Sequence, residues 1–302
     1  MTITTTDHLT STQAEEVVGL AERARATDGV APLSEQFVLD LRRPGAKAVH
    51  LLTPPGSGVR GYAQIATDGA VELVVDPAAR RSGHGRSLVG AVLQARPDAR
   101  FWAHGNLAGA QALAAVEGLR AVRDLRVMAR PLTEADRAEP VLPAPLRSRP
   151  FVVGQDEAAW LEVNAAAFSH HPEQGRMTLA DVEAREAQAW FDPAGLILVE
   201  DPSELVDGRP RVVAFHWTKV DPNATSSLDP TRPAGEVYVV GIHPDRQGRG
   251  LAGPLTALGT HHLAGLGLPE VILYVDGDNT PAVATYRRAG FSDAAVHVMY
   301  AR

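Results

Sequence analysis

The chain has 302 residues and a mass of 32.1 kDa, with 45% hydrophobic residues, enough to bury two cores of about 150 residues each. A net charge of −7 and a pI near 5.9 argue against a nucleic-acid binder, which presents a basic face. There is no cysteine, so disulfides, thiolate metal sites and an acyl-cysteine intermediate are excluded, while the polar start MTITTTDHLTST and the lack of any apolar run near the roughly 20 residues that span a membrane imply a soluble, cytoplasmic protein.

In chain order, the spacing of apolar residues predicts helices over 11–26 and 34–41, then strands over 48–52, 61–67 and 71–75. A basic, glycine-rich loop leads into a helix over 86–94 and a strand over 100–104. The stretch 131–150 carries Pro140, Pro143, Pro145 and Pro150 among charges and reads as a linker. Beyond it the order repeats: helices over 157–167 and 179–189, strands over 196–200, 212–220 and 236–242, a helix over 253–264, a strand over 271–275, a helix over 281–289 and a last strand over 295–300. The stretch DPNATSSLDPTRPAG between 220 and 236 predicts a mobile loop, either a cover for an acceptor site or a plain surface insertion. The expected fold class is α/β, an α+β arrangement around a mixed sheet, in two tandem domains, 1–130 and 151–302.

The repeat is legible residue by residue. EVYVVGIHPDRQGRGLAGPL (236–255) and VELVVDPAARRSGHGRSL (71–88) share a strand, a Pro turn, a basic glycine loop and an apolar helix start. Aligning Gln247 with Arg80 places Pro244 on Pro77, Gly250 on Gly83, Ala252 on Gly85 and Leu255 on Leu88, so both loops read [QR]-x-x-G-x-[GA]. Further on, WAHGNLAGAQALAAVEGL (102–119) lies without a gap on YVDGDNTPAVATYRRAGF (274–291). A strand entering such a turn before a helix leaves backbone N–H groups pointing one way at the positive end of the helix dipole, a site for a pyrophosphate. Small residues at Gly248, Gly250 and Ala252 admit a close ligand, and Arg246 and Arg249 are placed to add charge-assisted contacts. GRGLAG formally satisfies the dinucleotide fingerprint, but HPDRQ separates it from the strand and Glu270 precedes the next strand where it should end it. Neither loop ends in Gly-Lys-Ser/Thr, which excludes a Walker-type loop.

With these motifs the sequence resembles the GNAT acyltransferases, whose [QR]-x-x-G-x-[GA] loop holds the pyrophosphate of acetyl-CoA. FHWTKV (215–220), HPEQG (171–175), EVYVVGIHP and LYVDGDNTPAVATYRRAGF, together with the double domain, make it similar to the mycothiol synthase family. That resemblance implies acetyl transfer from acetyl-CoA to the cysteinyl amine of desacetylmycothiol, a cysteinyl-glucosaminyl-inositol, by direct attack in a ternary complex. It assigns the base to Glu236 and the acid to Tyr286. Acetyl-CoA would lie on Val240, Gly241, Ile242, Gln247, Gly248, Arg249, Gly250, Leu251, Ala252 and Gly253, with Asn279, Thr280, Pro281, Ala282, Val283 and Ala284 on its other side. The acceptor would meet Glu35, Glu173, Lys219, Glu236 and Tyr274. A second acetyl-CoA would lie on Leu73, Val74, Val75, Arg81, Ser82, Gly83, His84, Gly85 and Arg86. The main-chain amides of 240–242 suit pantetheine, whose own amides can pair with a splayed strand, and Gly241 is the expected bulge.

The duplication supplies an internal comparison. In these alignments Glu236 faces Gly69 and Tyr286 faces Ala114, so the first lobe is expected to keep an anion loop and to lack both proton carriers. Glu72 aligns with Val239, an odd shift from the Glu236 position that predicts the opposite face of the strand. The adjacent pairs His170/His171 and His261/His262 cannot share one ligand from regular structure, so no metal is expected. His216 and His243 are read as backbone-bonding residues near the cleft, and the four tryptophans as core or cleft wall. Small-molecule partners alone, with neither nucleic acid nor membrane, suggest a monomer. A GNAT for another amine, or a non-catalytic acyl-CoA sensor, are the alternative readings; Glu236 and Tyr286 favour catalysis.

Overall fold

A computed structural model of the chain describes residues 3–42, 47–53, 58–169, 174–222 and 225–302. They form two units: Met1–Arg126 with Asp276–Asp278 and Ala295–Arg302, and Val127–Val275 with Asn279–Ala294. The elements are β1 Thr4–Thr6, α1 Ser11–Asp28, α2 Glu35–Asp40, β2 Val49–Leu52, β3 Gly61–Ile65, β4 Ala70–Val75, α3 His84–Ala95, β5 Arg100–Ala103, α4 Ala108–Val116 and β6 Arg120–Pro131, followed by β7 Arg147–Pro150, α5 Glu157–Ala167, α6 Leu179–Glu186, β8 Leu196–Val206, β9 Arg209–Lys219, β10 Gly235–Ile242, α7 Ala252–Gly265, β11 Glu270–Asp276, α8 Thr280–Arg288 and β12 Ser292–Ala301.

In the first unit, α1 starts because Thr10 and Gln13 close a capping box, the Thr10 hydroxyl accepting from the Gln13 N–H and the Gln13 side chain accepting from the Thr10 N–H. Its apolar stripe Ala14, Val17, Leu20 and Ala24 packs with Tyr62, Ala70 and Val74 on one face of the strands. The other face carries Val71 with Leu88, Val89 and Val92 of α3. β1 to β4 are antiparallel neighbours in order, β4 and β5 run parallel, and β12 adds antiparallel to β5 through Met299↔Trp102. The final residues 295–302 therefore lie in the first unit although they close the chain.

The second unit repeats this plan, with β7 to β10 antiparallel in order and β10 parallel to β11. Trp160, Val163, Phe215 and Trp217 pack with α6 on one face; Leu255, Leu258 and Leu263 of α7 cover the other. Within the proline-rich stretch read as the linker, a 3-10 turn at Glu134–Arg137 has a Thr133 capping box, and β7 joins β8. Prolines suit an edge strand, whose outer N–H groups need no partner. Within the stretch 220–236, Ser226 and Ser227 are bonded to the buried Glu270, whose carboxylate accepts from both hydroxyls and from the Ser227 N–H.

Candidate active site

Both glycine loops have one geometry. Each follows its strand with a 3-10 turn, Pro77–Ala79 and Pro244–Arg246, and places the next two special positions in the left-handed region: Arg81 (φ 62°) and Gly83 (φ 86°), Gly248 (φ 71°) and Gly250 (φ 75°). The first signature residue is a brace: Gln247 Nε2 donates to the Ile242 carbonyl at 3.1 Å, and Arg80 Nε donates to the Val75 carbonyl at 3.3 Å. Neither α3 nor α7 has a side-chain cap, which leaves first-turn amides available for an anion.

The charges around the loops divide. Arg246, read as a phosphate contact, pairs instead with Asp201 at 3.0 Å and Glu204 at 2.5 Å, holding the loop to the β8–β9 hairpin. Arg80 grips Asp28 at 2.6 and 2.7 Å, and Arg86 lies 3.0 Å from Glu117. Arg249 is exposed on the loop itself.

The sheet is splayed next to each loop. The β10–β11 ladder stops at Val237↔Leu273 although β10 continues to Ile242 and β11 to Asp276; the β4–β5 ladder stops at Val71↔Phe101 although β4 runs to Val75. A strand edge carrying Val240, Gly241 and Ile242 is thus left facing the opening, where main-chain groups can receive an extended amide ligand. Across from it, Asn279 caps α8 by accepting from the Ala282 N–H at 3.2 Å, ahead of Thr280, Pro281, Val283 and Ala284.

The expected bulge at Gly241 is corrected. Gly241 stays in register with Phe215, and its small size serves close approach, since a Cβ there would meet Phe215 Cε1 at 2.5 Å. The register shifts instead between Val237 and Val239, so that Tyr238 is the extra residue. Tyr238 packs with Trp190 and Trp217, as does Val239, whereas Val237 and Val240 belong to the α7–α8 face.

That single residue also corrects the alignment of the two lobes. Glu236 pairs with Lys219 on one side and Ile272 on the other; the first-unit residue at the same node is Ala70, bonded through its carbonyl to the Ala66 N–H and paired with Arg100. The counterpart of Glu236 is Ala70, not Gly69, and that of Lys219 is Ala66. Glu72 then stands two residues from Ala70 and on its face, not the opposite one. It is nevertheless committed: Ser34 N–H donates to one oxygen at 2.6 Å and His104 Nε2 lies 2.9 Å from the other.

In the second unit Lys219 is 8% exposed, with Nζ 4.7 Å from the Trp190 ring centroid and 5.2 Å from that of Tyr238. Desolvation, and then the Glu236 carboxylate, push the Tyr274 hydroxyl up, although 44% of that residue's surface is open. Tyr286 lies on α8 with its ring 5.8 Å from that of Phe291, and burial pushes its hydroxyl up to about 12, so the hydroxyl keeps its proton at neutral pH. His216 Nδ1 donates to the Leu255 carbonyl at 2.8 Å, and burial lowers its pKa to about 4; it is a neutral strut between β9 and α7. Glu35 opens α2 in the first unit. Glu173 lies outside the described residues. Among the described residues no group of His, Asp and Glu is placed to hold a metal, and no helix is long and apolar enough to cross a membrane. Sequence reading placed Trp190 only as core or cleft wall and did not single out Tyr238, because the strand pattern gives no sign of the register shift that brings Tyr238 beside Lys219.

Residues 159–291 match the Acetyltransferase (GNAT) family. The chain is 49% identical over 300 residues to a mycothiol acetyltransferase of Thermomonospora curvata, covering 97% of this chain and 95% of that protein. It is likewise 49% identical over 306 residues to a mycothiol acetyltransferase of Streptomyces coelicolor, covering 99% and 94%. Among solved structures, a tandem GNAT protein from the clavulanic acid biosynthesis pathway superposes with a TM-score of 0.69 at 15% identity, covering 99% of this chain and 97% of that one. The last likeness bears on the fold alone.

Proposed function

We infer the division of labour in this chain from one premise: it belongs to the mycothiol acetyltransferase family, within the GNAT acyltransferases. Its activity is acetyl transfer from acetyl-CoA in mycothiol biosynthesis. On our reading the acceptor is the cysteinyl amine of desacetylmycothiol, and the second unit performs the transfer. One observation carries this assignment: Glu236 stands opposite Lys219 beside the splayed edge of β10, whereas the same nodes of the first unit hold Ala70 and Ala66.

An α-amine with a pKa near 7.7–8.0 is largely protonated at neutral pH and must lose that proton before attack. Glu236, directly or through one water, is the acceptor of the proton. The amine nitrogen then bonds to the thioester carbon, the C–S bond breaks, and the second proton lost from nitrogen neutralises the departing CoA thiolate through solvent. The Tyr286 hydroxyl, near 12, is far less acidic than a thiol near 8.5, so its contribution is a hydrogen bond to the developing thiolate more than complete proton transfer. With no cysteine in the chain, direct attack in a ternary complex is the simplest route. Acetyl-CoA would rest with its diphosphate on the Gly248–Gly250 loop and the start of α7, and its pantetheine against Val240–Ile242. The twin geometry of the first loop supports a second, unreacted acetyl-CoA there.

Glu236→Gln tests the base. Turnover of cysteinyl-glucosaminyl-inositol should fall by about 10²-fold or more while acetyl-CoA binding stays nearly unchanged. Wild-type turnover in this variant would remove Glu236 from that role, and faster CoA release with another amine in a panel would displace the proposed acceptor.

A further inference from the structure

Between matching pairing nodes β10 carries one residue more than β4, and that residue builds a seat. Tyr238, bulged out of the β9–β10 ladder, stands 5.1 Å from the Trp190 ring at 61° and 5.3 Å from the Trp217 ring at 86°. Its hydroxyl accepts from Arg185 Nε at 2.9 Å, and Arg185 NH1 donates to the Asp181 carbonyl, which ties the bulge to α6. Trp190 follows α6 and closes the other side, 6.0 Å from Trp217. Two of these rings present faces to Lys219 Nζ at 4.7 and 5.2 Å.

An ammonium on a four-carbon stem loses much rotamer freedom when a ligand fixes it, and a site that has already fixed it binds more tightly. Ring faces attract a cation through their quadrupole and restrict where it can sit. The first unit, with Ala66 at the Lys219 node, Gln64 at the Trp217 node and no bulge, has neither the cation nor the seat.

We propose that Trp190, with the bulged Tyr238, is a positioning residue that seats the Lys219 ammonium for the hydroxyl-rich acceptor. This rests on the reading of Lys219 as an acceptor contact given above. Trp190→Leu should raise the acceptor KM about 10-fold, the size of a partly desolvated cation–π contact, with kcat changed less than about 3-fold and the acetyl-CoA KM unchanged. Trp190→Phe, which keeps a ring face, should restore most of the loss. Lys219→Met should raise the acceptor KM at least as much, and Trp190→Leu added to it should do nothing more. Should Trp190→Leu fail to fold, Tyr238→Leu tests the other wall with the same outcomes. If Lys219→Met leaves the acceptor KM unchanged, the acceptor reading of Lys219 fails. If Lys219→Met raises it but Trp190→Leu does not, or if the two effects add fully, the seat alone is refuted and Trp190 is only packing.

Discussion

Gly259→Ala would probe how closely α7 must lie on β9 for the cofactor end of that helix to be placed. A Cβ at Gly259 would fall 2.0 Å from His216 Nε2, 2.1 Å from Cε1 and 2.4 Å from Cδ2. Ordinary contacts begin near 3.5 Å, so the overlap is about 1.5 Å. The ring cannot easily yield, because His216 is fully buried and its Nδ1–H is bonded to the Leu255 carbonyl at 2.8 Å. Overpacking of this kind costs about 1–3 kcal/mol, and breaking the hydrogen bond adds about 1. Against that, alanine is better than glycine inside a helix by about 1 kcal/mol. The expected net loss is about 2 kcal/mol, a drop of several degrees in Tm, read by thermal and denaturant unfolding. Lifting α7 also moves its uncapped first turn, so the acetyl-CoA KM should rise. In Gly259→Ala with His216→Ala the ring is gone and the new methyl has room, so the double variant should be more stable than the sum of the single losses allows. A Gly259→Ala protein as stable as the parent, with the same acetyl-CoA KM, would refute the rigid contact.

Three further outcomes are expected. Arg246→Ala should lower the unfolding midpoint, because it removes the ion pairs to Asp201 and Glu204 although Asp201 keeps its two bonds from Ser203, whereas Arg249→Ala should leave stability intact and raise the acetyl-CoA KM several-fold; the reverse pattern in unfolding and kinetic assays would invert the roles assigned to the two arginines. Burial lowers both His216 and His297, the latter also through His104, to about 4 from an unfolded value of 6.5. Between pH 6.5 and 4 the unfolded chain therefore binds more protons than the folded one, so this contribution is full above 6.5 and is lost as pH falls, by up to about 3 kcal/mol per histidine. An acid-unfolding slope that is unchanged in His297→Asn would show that His297 takes no part. For Glu236→Gln, the ratio of turnover to acetyl-CoA affinity separates proton transfer from folding, since a misfolded site would lose both.

Much of the cofactor side was readable in the chain. The [QR]-x-x-G-x-[GA] loop is a local object: its left-handed positions, its brace and the helix that follows depend on residues within one turn, and both copies kept them. The α1 capping box and the apolar stripe of that helix are equally local. The acceptor side was not readable in the same way. In the run EVYVVGI every residue suits a strand, so nothing in its pattern marks Tyr238 as the extra one. Aligning the lobes by their loops carried the register one residue off at Glu236, and put Glu72 on the wrong face.

The sequence by itself determined that the chain holds two related lobes with an anion-binding loop in each, which lobe carries Glu236 and Tyr286, and that no cysteine of the protein takes part, because these follow from residue identity and short-range spacing; acyl-CoA as the ligand came from the family resemblance. Tertiary structure alone decided that Arg246 is spent on Asp201 and Glu204, that the last strand pairs with Phe101–Ala103, and that Lys219 sits between Trp190 and Tyr238. Each of these joins groups distant in the chain, and strand register and packing, which no local pattern encodes, choose the partners.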